Sequence, residues 1–248
     1  MRHPDRKLET VGDLISALRD WKVLEEPTWF RGQADETWSL TPSIARTPTY
    51  LAAELTTIKL FKQQARPHLP VLPTTEWEWI FLMQHYRAPT RLLDWSERPL
   101  VGLYFAVSDE AHDTKDAALW FLDPISLNKH SGHKRAFKKD ILAFDIDESL
   151  QQYLPDQVNA RVTDLDPVAG IGPWNSTRMV AQAGTFTIMH ANPVAVESVA
   201  DSSHVWRMVI PAAARFSIRE ELTLLGITES MIFPDLDRIA LGTRRLFA

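Results

Sequence analysis

The sequence predicts a single α+β domain. Apolar residues recur at helical spacing through most of the first half of the chain, whereas the second half carries short apolar runs typical of strands. The 248 residues are 45% hydrophobic and 24% charged, which is enough for one sizeable core. No internal repeat or low-complexity segment divides the chain, so we assign residues 10–248 to one domain and residues 1–9 to an N-terminal tail.

The composition restricts the classes of protein and site. Cysteine is absent, which excludes disulfides, thiolate chemistry and zinc sites of the Cys type. The net charge of −5 argues weakly against a protein that coats nucleic acid, but it allows a local basic patch. The polar residues 1–9 lack the apolar core of a signal peptide, and no apolar run reaches the length of a membrane span. We therefore expect a cytoplasmic protein without membrane association.

The first half of the chain predicts three helices and a strand. Thr10 is a suitable N-cap for the first helix, and an aromatic strand follows over residues 29–31. Apolar residues at helical spacing predict a long helix over residues 48–66. Another helix is expected to begin after Thr75, with acidic residues in its first turn, and to end near His85.

The chain from residue 90 onwards is predicted to be rich in strands. A short strand is predicted over residues 90–94, and Ser96 is well placed as the N-cap of the apolar helix that follows it. A late helix is predicted from Pro211, with Gly226 at its C′ position. Further apolar runs predict strands over residues 117–122, 141–146, 179–189 and 205–210.

Arg31 is the most informative residue of the sequence. It follows Trp29 and Phe30 inside a predicted buried strand, and Gly32 leaves space beside the backbone. A guanidinium in this setting is a planar fork with a permanent charge, which suits a phosphate or carboxylate ligand. The alternative is an internal ion pair with a carboxylate of the protein, because burial without a partner is costly.

These segments together resemble the FRG domain family of bacteria. The resemblance is carried by Phe30-Arg31-Gly32-Gln33, by Leu40-Thr41-Pro42-Ser43 with Arg46, and by Glu54 and Phe61. Its most specific part is Gln84-His85-Tyr86 followed by Pro89-Thr90-Arg91-Leu92-Leu93-Asp94-Trp95-Ser96 and Leu103-Tyr104-Phe105-Ala106. Later matches around Arg178, Gln182 and Phe233 extend it over residues 10–245.

A second resemblance concerns the order of the motifs. Arg31, then Asp94-Trp95-Ser96, then Gln182 is similar to the order in ADP-ribosyltransferases of the Arg-Ser-Glu type. It implies a mostly antiparallel split sheet with NAD as substrate and no metal. Arg31 would hold NAD, and Ser96 would support the ribose or the arginine. Gln182 is expected on the third strand, where those enzymes carry an acid, and Asp94 is the carboxylate that can substitute for it.

The two resemblances imply a set of site residues. The catalytic candidates are Arg31, His85, Asp94, Ser96 and Gln182. The residues expected to bind NAD are Arg31, Gly32, Gln33, Arg91, Trp95, Tyr104 and Arg178. The protein would then be an NAD-using enzyme, such as a toxin or an antiviral-defence effector, with an unknown macromolecular acceptor and a neutralising partner protein.

Other interpretations of the same residues remain open. The neutral Gln182 favours a non-catalytic module that binds a nucleotide, nucleic acid or a partner, and His85 with Asp94 would suit a nuclease. His85 and Ser96 also suit helix ends, and Arg91 and Asp94 suit a structural ion-pair network. The basic cluster Lys129–Lys139 fits either an anionic partner or a solvated loop. Phosphate-binding loop, Rossmann, nucleophile-elbow and zincin motifs are absent from the sequence.

Overall fold

The described part of the chain forms one mixed sheet of eight strands. The computed structural model describes residues 1–131, 141–158 and 165–236, with residues 238 and 240. The strands are β1 Arg6–Lys7, β2 Trp29–Gln33, β3 Leu92–Ser96, β4 Ala117–Leu122, β5 Leu142–Ala143, β6 Val168–Ile171, β7 Gly184–Ile188 and β8 Val205–Ile210. Their order is β1-β8-β4-β2-β3-β7-β6-β5. The β1–β8 and β5–β6 pairs at the two edges are parallel and the others antiparallel, which confirms the predicted α+β class.

Helices cover both faces of this sheet. They are α1 Val11–Asp20, α2 Pro48–Ala52, α3 Glu54–Ala65, α4 Glu76–His85, α5 Pro99–Val107, α6 Pro124–His130, α7 Pro155–Val158, α8 Thr177–Gln182, α9 Arg215–Leu224 and α10 Glu229–Ile232. Thr10 and Thr75 cap α1 and α4 as predicted, each within a complete capping box. None of these helices is long and apolar enough to cross a bilayer.

The sheet is split between β2 and β3. Their described pairing is confined to Phe30 opposite Ser96, whereas β2 pairs along its whole length with β4, and β3 does the same with β7. The sheet therefore consists of two four-stranded halves that separate beyond this point. A split sheet was expected from the resemblance in motif order, and the limited pairing of β2 with β3 agrees with that expectation.

Each half-sheet has its own helical cover on the same face. Helices α1, α5 and α9 enclose one core with β2, β4 and β8, and α4 encloses another with β3, β6 and β7. Phe30 of β2 and Ser96 of β3 are a directly opposed pair, so their side chains lie on the same face of the sheet. On this face α5 covers the half-sheet of β2 and α4 covers the half-sheet of β3, one on each side of the split. A third core, which includes Trp29, Trp95 and Trp120, fills the opposite face. A cleft is left between the two helices.

Several predicted elements differ from the structure. The helix predicted over residues 48–66 is broken at Ala53, whose backbone leaves helical geometry with a ψ of 2°. The buried residue of the second piece, α3, is Glu54. The strand predicted over residues 141–146 is confined to β5, because Asp145 adopts a left-handed backbone with a φ of 68°. The late helix α9 begins at Arg215 rather than Pro211, and Gly226 ends it with a φ of 76° as predicted.

The strand predicted over residues 179–189 is wrong in its first part. Ser176 accepts a hydrogen bond from the Met179 nitrogen and starts α8, so this segment is helical up to Gln182. Ala183 then adopts a left-handed backbone with a φ of 43°, and β7 begins at Gly184. At the N-terminus, residues expected to form a tail contribute β1, and Leu8 is fully buried.

Candidate functional site

A cleft of about 470 Å³ opens where β2 and β3 separate. Its walls come from β2, β3, α5, α8 and the end of α4. The ionisable side chains that line it are Arg31, Arg46, His85, Arg87, Asp94, Asp109 and Arg178. Four guanidinium groups against two carboxylates make the cleft locally cationic although the chain is acidic overall.

Arg31 bridges the split in the sheet. Its Nη1 donates a 2.7 Å hydrogen bond to the backbone carbonyl of Asp94 on β3. Its Nε is buried and has no hydrogen-bond partner among the described residues. Burial lowers the pKa of Arg31 to about 10, an effect that Asp94 opposes and the neighbouring Arg46 reinforces. Arg31 is therefore charged at neutral pH but only partly hydrogen-bonded.

The internal ion pair considered for Arg31 is not found. No carboxylate in the described part of the chain lies within ion-pair distance of its guanidinium. Asp94 is close enough to act on its pKa but accepts its hydrogen bond from Gln84 instead. A desolvated cation without a bonded anion favours an external anionic ligand.

Asp94 is an exposed carboxylate held in a fixed orientation. Its Oδ2 accepts a 2.8 Å hydrogen bond from Gln84 Nε2, and Gln84 Oε1 in turn accepts one from the Thr90 hydroxyl. Gln84 thus ties the end of α4 to the start of β3. The charge of Asp94 is attracted both to Arg31 and to Arg178, so it lies between two cationic groups of the cleft.

Ser96 and Gln182 hold elements together. Ser96 Oγ donates a 2.6 Å hydrogen bond to the Gln182 carbonyl and accepts a 2.9 Å one from the Arg98 nitrogen. Ser96 lies in β3 and the N-cap of α5 is Arg98, so the predicted N-cap was wrong by two residues. Gln182 ends α8 instead of lying on a strand, and its Nε2 donates to the Ile232 carbonyl at 3.1 Å.

Arg178 and His85 form one wall of the cleft. The Arg178 guanidinium stacks 4.7 Å from the centre of the Phe233 ring, and its Nη1 makes a long 3.4 Å hydrogen bond to the His85 carbonyl. Burial lowers the pKa of His85, Arg178 lowers it further, and Asp235 opposes both. The imidazole is therefore biased towards its neutral form at neutral pH.

The remaining predicted binding residues divide into two groups. Gly32, Gln33 and Trp95 line the cleft. Arg91 does not line it, because its guanidinium forms a buried pair with Glu54 and also bonds the His190 carbonyl. Tyr104 packs against the core beneath α1, α5 and α9 and is also absent from the cleft lining. We therefore leave these two residues out of the proposed site.

Sequence reasoning missed Trp38, Arg46 and Arg87 as residues of the cleft. Arg46 is part of the family resemblance, but its place in the site depends on how the segment after β2 folds back. The sequence does contain a signal for Arg87, because this charged residue comes just after the predicted end of a helix, at a position where glycine is favoured.

Two predicted features are only partly within the described residues. Of the basic cluster, Lys129 and His130 are described, whereas His133, Lys134, Arg135, Lys138 and Lys139 lie outside the described ranges. Among the described side chains, no group of three or more His, Asp or Glu could hold a metal ion.

Comparison with known proteins adds one finding. Residues 26–115 match the model of the FRG domain family. This part of the chain is similar to an FRG domain. The matched range is shorter than the expected resemblance over residues 10–245, and it includes Arg31, Gln84 and Asp94 but not Arg178. No curated protein and no solved structure matches the chain.

Proposed function

We propose that the cleft binds NAD and that the protein transfers ADP-ribose from NAD to an acceptor. The observation that carries this proposal is Arg31, a desolvated cation whose Nε has no partner among the described residues, placed at the split of a mostly antiparallel sheet. A pyrophosphate would accept hydrogen bonds from the part of the Arg31 guanidinium that lines the cleft. The cleft of about 470 Å³ lies in the usual size range of pockets for small molecules and cofactors.

Arg31 would hold the phosphate groups. Its anchoring hydrogen bond to the Asp94 carbonyl fixes one edge of the guanidinium and leaves the rest of the fork for the ligand. The low dielectric that lowers its pKa also strengthens its attraction for an anion. Because the hydrogen bond to the Asp94 carbonyl already orients the guanidinium, little side-chain entropy is lost on binding.

Asp94 would act on the reacting ribose. NAD supplies a bond between C1′ and the nicotinamide nitrogen, which breaks with its electron pair leaving on nicotinamide while the acceptor nucleophile bonds C1′. Asp94 would accept a hydrogen bond from a ribose hydroxyl and offset positive charge that develops at the sugar. Gln182 contributes less than the resemblance implied, because its amide is engaged with Ile232.

His85 would take the proton that the acceptor loses. Its imidazole lines the cleft, and burial together with Arg178 favours the neutral form, which has a free nitrogen lone pair. Removal of NAD or modification of a macromolecule would suit a toxin or antiviral-defence effector that is kept inactive by a neutralising partner.

The proposal predicts that Arg31→Ala lowers NAD affinity by about 10- to 100-fold, because charge-assisted hydrogen bonds to the ligand are lost. Arg31→Lys keeps the charge without the planar fork, so its NAD affinity should lie between those of the wild type and Arg31→Ala. The measurements are the NAD-induced shift in melting temperature and the release of nicotinamide. Arg19→Ala, which removes an exposed arginine of α1 outside the cleft, is the matched control.

Asp94→Asn separates binding from chemistry in the same assays. It should keep the NAD-induced shift and lose nicotinamide release, because the amide retains the shape but not the charge. An unchanged NAD affinity in Arg31→Ala would refute the proposal.

A second candidate is a module that binds a nucleotide without turning it over. It is favoured because the Arg-Ser-Glu pattern expects an acid where this chain has the neutral Gln182. The amide of Gln182 is also engaged with the Ile232 carbonyl. An NAD-induced shift in the wild-type protein without any nicotinamide release would establish this candidate instead of the transferase.

A further inference from the structure

Exposed aromatic rings and arginines line the cleft or contact residues that line it. Tyr86, Trp174 and Trp38 are 64%, 46% and 42% exposed. Arg46 and Arg87 are exposed as well and belong to the cleft lining. These five residues are called the rim below. Exposed rings offer stacking surfaces for bases, and exposed arginines offer contacts for phosphates.

The three rings of the rim have fixed neighbours. The Trp174 indole Nε1 donates a 3.1 Å hydrogen bond to the carbonyl of Gly184, which lines the cleft. The Trp38 ring contacts His112 edge-on with centroids 5.1 Å apart, and Tyr86 contacts His85 in the same way at 4.9 Å. Rings that are already oriented lose little freedom when a flat ligand stacks on them.

Arg87 occupies a backbone position that favours glycine. It has a φ of 62° directly after the end of α4. The Arg87 nitrogen donates to the Gln84 carbonyl and the Ala88 nitrogen to the Met83 carbonyl, which is the Schellman pattern of a helix end. A long charged side chain is disfavoured there relative to glycine. The Arg87 side chain lines the cationic cleft, where it is available to a ligand.

We propose that the rim binds single-stranded nucleic acid. Unpaired bases would stack on Tyr86, Trp38 and Trp174, and backbone phosphates would contact Arg46 and Arg87. A duplex keeps its bases stacked on each other and cannot use the rings. Assigning this strand as the acceptor of ADP-ribose rests on the proposed function, whereas binding of the strand does not.

The charge distribution predicts how binding depends on salt. The chain is acidic overall, with a net charge of −5, so attraction to the strand comes from the few rim cations. Two or three phosphate contacts give a slope of about −1.4 to −2 in a plot of log K against log salt. A much steeper slope would point to a larger basic surface instead of the rim.

The test is fluorescence anisotropy with labelled oligonucleotides of about 12 mixed-sequence nucleotides, a length within the range one binding site covers. Single-stranded DNA, single-stranded RNA and the matching duplex are compared. Either single strand is expected to bind more tightly than the duplex, and the difference between DNA and RNA identifies the strand that the rim prefers.

Two variants locate the binding at the rim. Tyr86→Ala and Arg87→Gly should each weaken binding of the single strand by about 5-fold or more. Arg87→Gly should keep or raise the melting temperature, because glycine is favoured at this helix end, so its loss of binding is not a loss of folding. Tyr86→Ala should retain the NAD-induced shift, because Tyr86 does not line the cleft. Arg19→Ala should bind the strand as the wild type does.

The possible failures can be told apart. Absence of single-strand binding at low salt, equal binding of the duplex, or unchanged affinity in both rim variants would overturn the inference. Strand binding that depends on Tyr86 and Arg87, in a protein that shows no response to NAD, would support the rim as a binding site and refute the proposed function.

Discussion

Gly32 determines how closely α5 approaches β2. A Cβ at this position would collide with the backbones of Gly102 and Ala106 and lie 2.7 Å from the Phe105 carbonyl carbon. Gly102 has the reciprocal role, since a Cβ there would lie 2.8 Å from that of Phe30. The glycine after Arg31 is therefore required for packing, and it keeps α5 close to the strand that presents the arginine.

Gly32→Ala is predicted to destabilise the protein by about 3 kcal/mol or more, because the added methyl meets main-chain atoms that cannot move independently. The free energy of unfolding in urea measures the effect. Gly12→Ala is the matched control: its Cβ would meet the Thr10 hydroxyl at an ordinary 3.4 Å, and alanine favours the helix by about 0.5–1 kcal/mol. Similar stability of the two variants would contradict the proposed role of Gly32.

At the scale of elements, a buried ion pair fastens α3 to the start of β3. Arg91 Nε and Nη2 both bond the Glu54 carboxylate, with distances from 2.6 to 2.9 Å, and both side chains are almost fully buried. Arg91 also bonds the His190 carbonyl after β7, and the Met189 nitrogen donates to the Arg91 carbonyl. The pair thus fixes the end of the half-sheet that carries Asp94.

Glu54→Ala is predicted to cost about 3–5 kcal/mol of stability, because it leaves the Arg91 charge buried without a partner. The double variant Glu54→Leu with Arg91→Met removes both charges and should be more stable than the single variant. Urea unfolding of the three proteins gives the comparison. A double variant as unstable as Glu54→Ala would show that shape at this site matters more than charge.

At the scale of the whole molecule, three histidines are held against protonation. Burial is the main cause of the lowered pKa of His3, His85 and His204. Neighbouring arginines add to it at His3 and His85, whereas at His204 the hydrogen bond to the Val196 carbonyl opposes it. The unfolded chain, with a histidine pKa near 6.5, therefore binds protons before the folded protein does. Their contribution to stability is present above this pH and is lost as the pH falls towards the folded values.

Acidification from pH 7 to 5 is therefore predicted to lower the free energy of unfolding. His204 contributes at most about 1.4 kcal/mol per pH unit, and His3 and His85 contribute less because solvent screens them more. A second loss follows below pH 4, where the lowered pKa values of Asp13, Glu78 and Asp113 take effect. Urea unfolding across this range measures both. His204→Gln should reduce the slope between pH 7 and 5, and an unchanged slope would exclude His204 as a contributor.

Local signals were sufficient to predict most of the elements. Thr10 and Thr75 cap helices through residues three positions away, and Gly226 ends α9 through its own backbone freedom. The runs at 117–122 and 205–210 form the largely buried strands β4 and β8, each paired with a strand on both sides, as their apolar composition predicted. These features depend on neighbours in sequence, which is why the sequence reveals them.

The candidate site could be predicted only in part. Arg31, His85 and Asp94 were chosen from the sequence, and the structure brings all three to one cleft. The sequence did not show that Arg91 would form an ion pair with Glu54, or that Gln182 would end a helix and donate a hydrogen bond to the Ile232 carbonyl. Those partners lie 37 and 50 residues away, so folding alone decides them.

The sequence by itself determined where most helices and strands lie, that the class is α+β, and that a charged fork would sit in a core strand. Only the tertiary structure decided that β2 and β3 separate after Phe30, which gives Arg31 a cleft to face in place of a paired strand. The physical reason is that the split depends on two helices, α4 and α5, each packing on its own half-sheet. No local pattern of residues encodes the space between them.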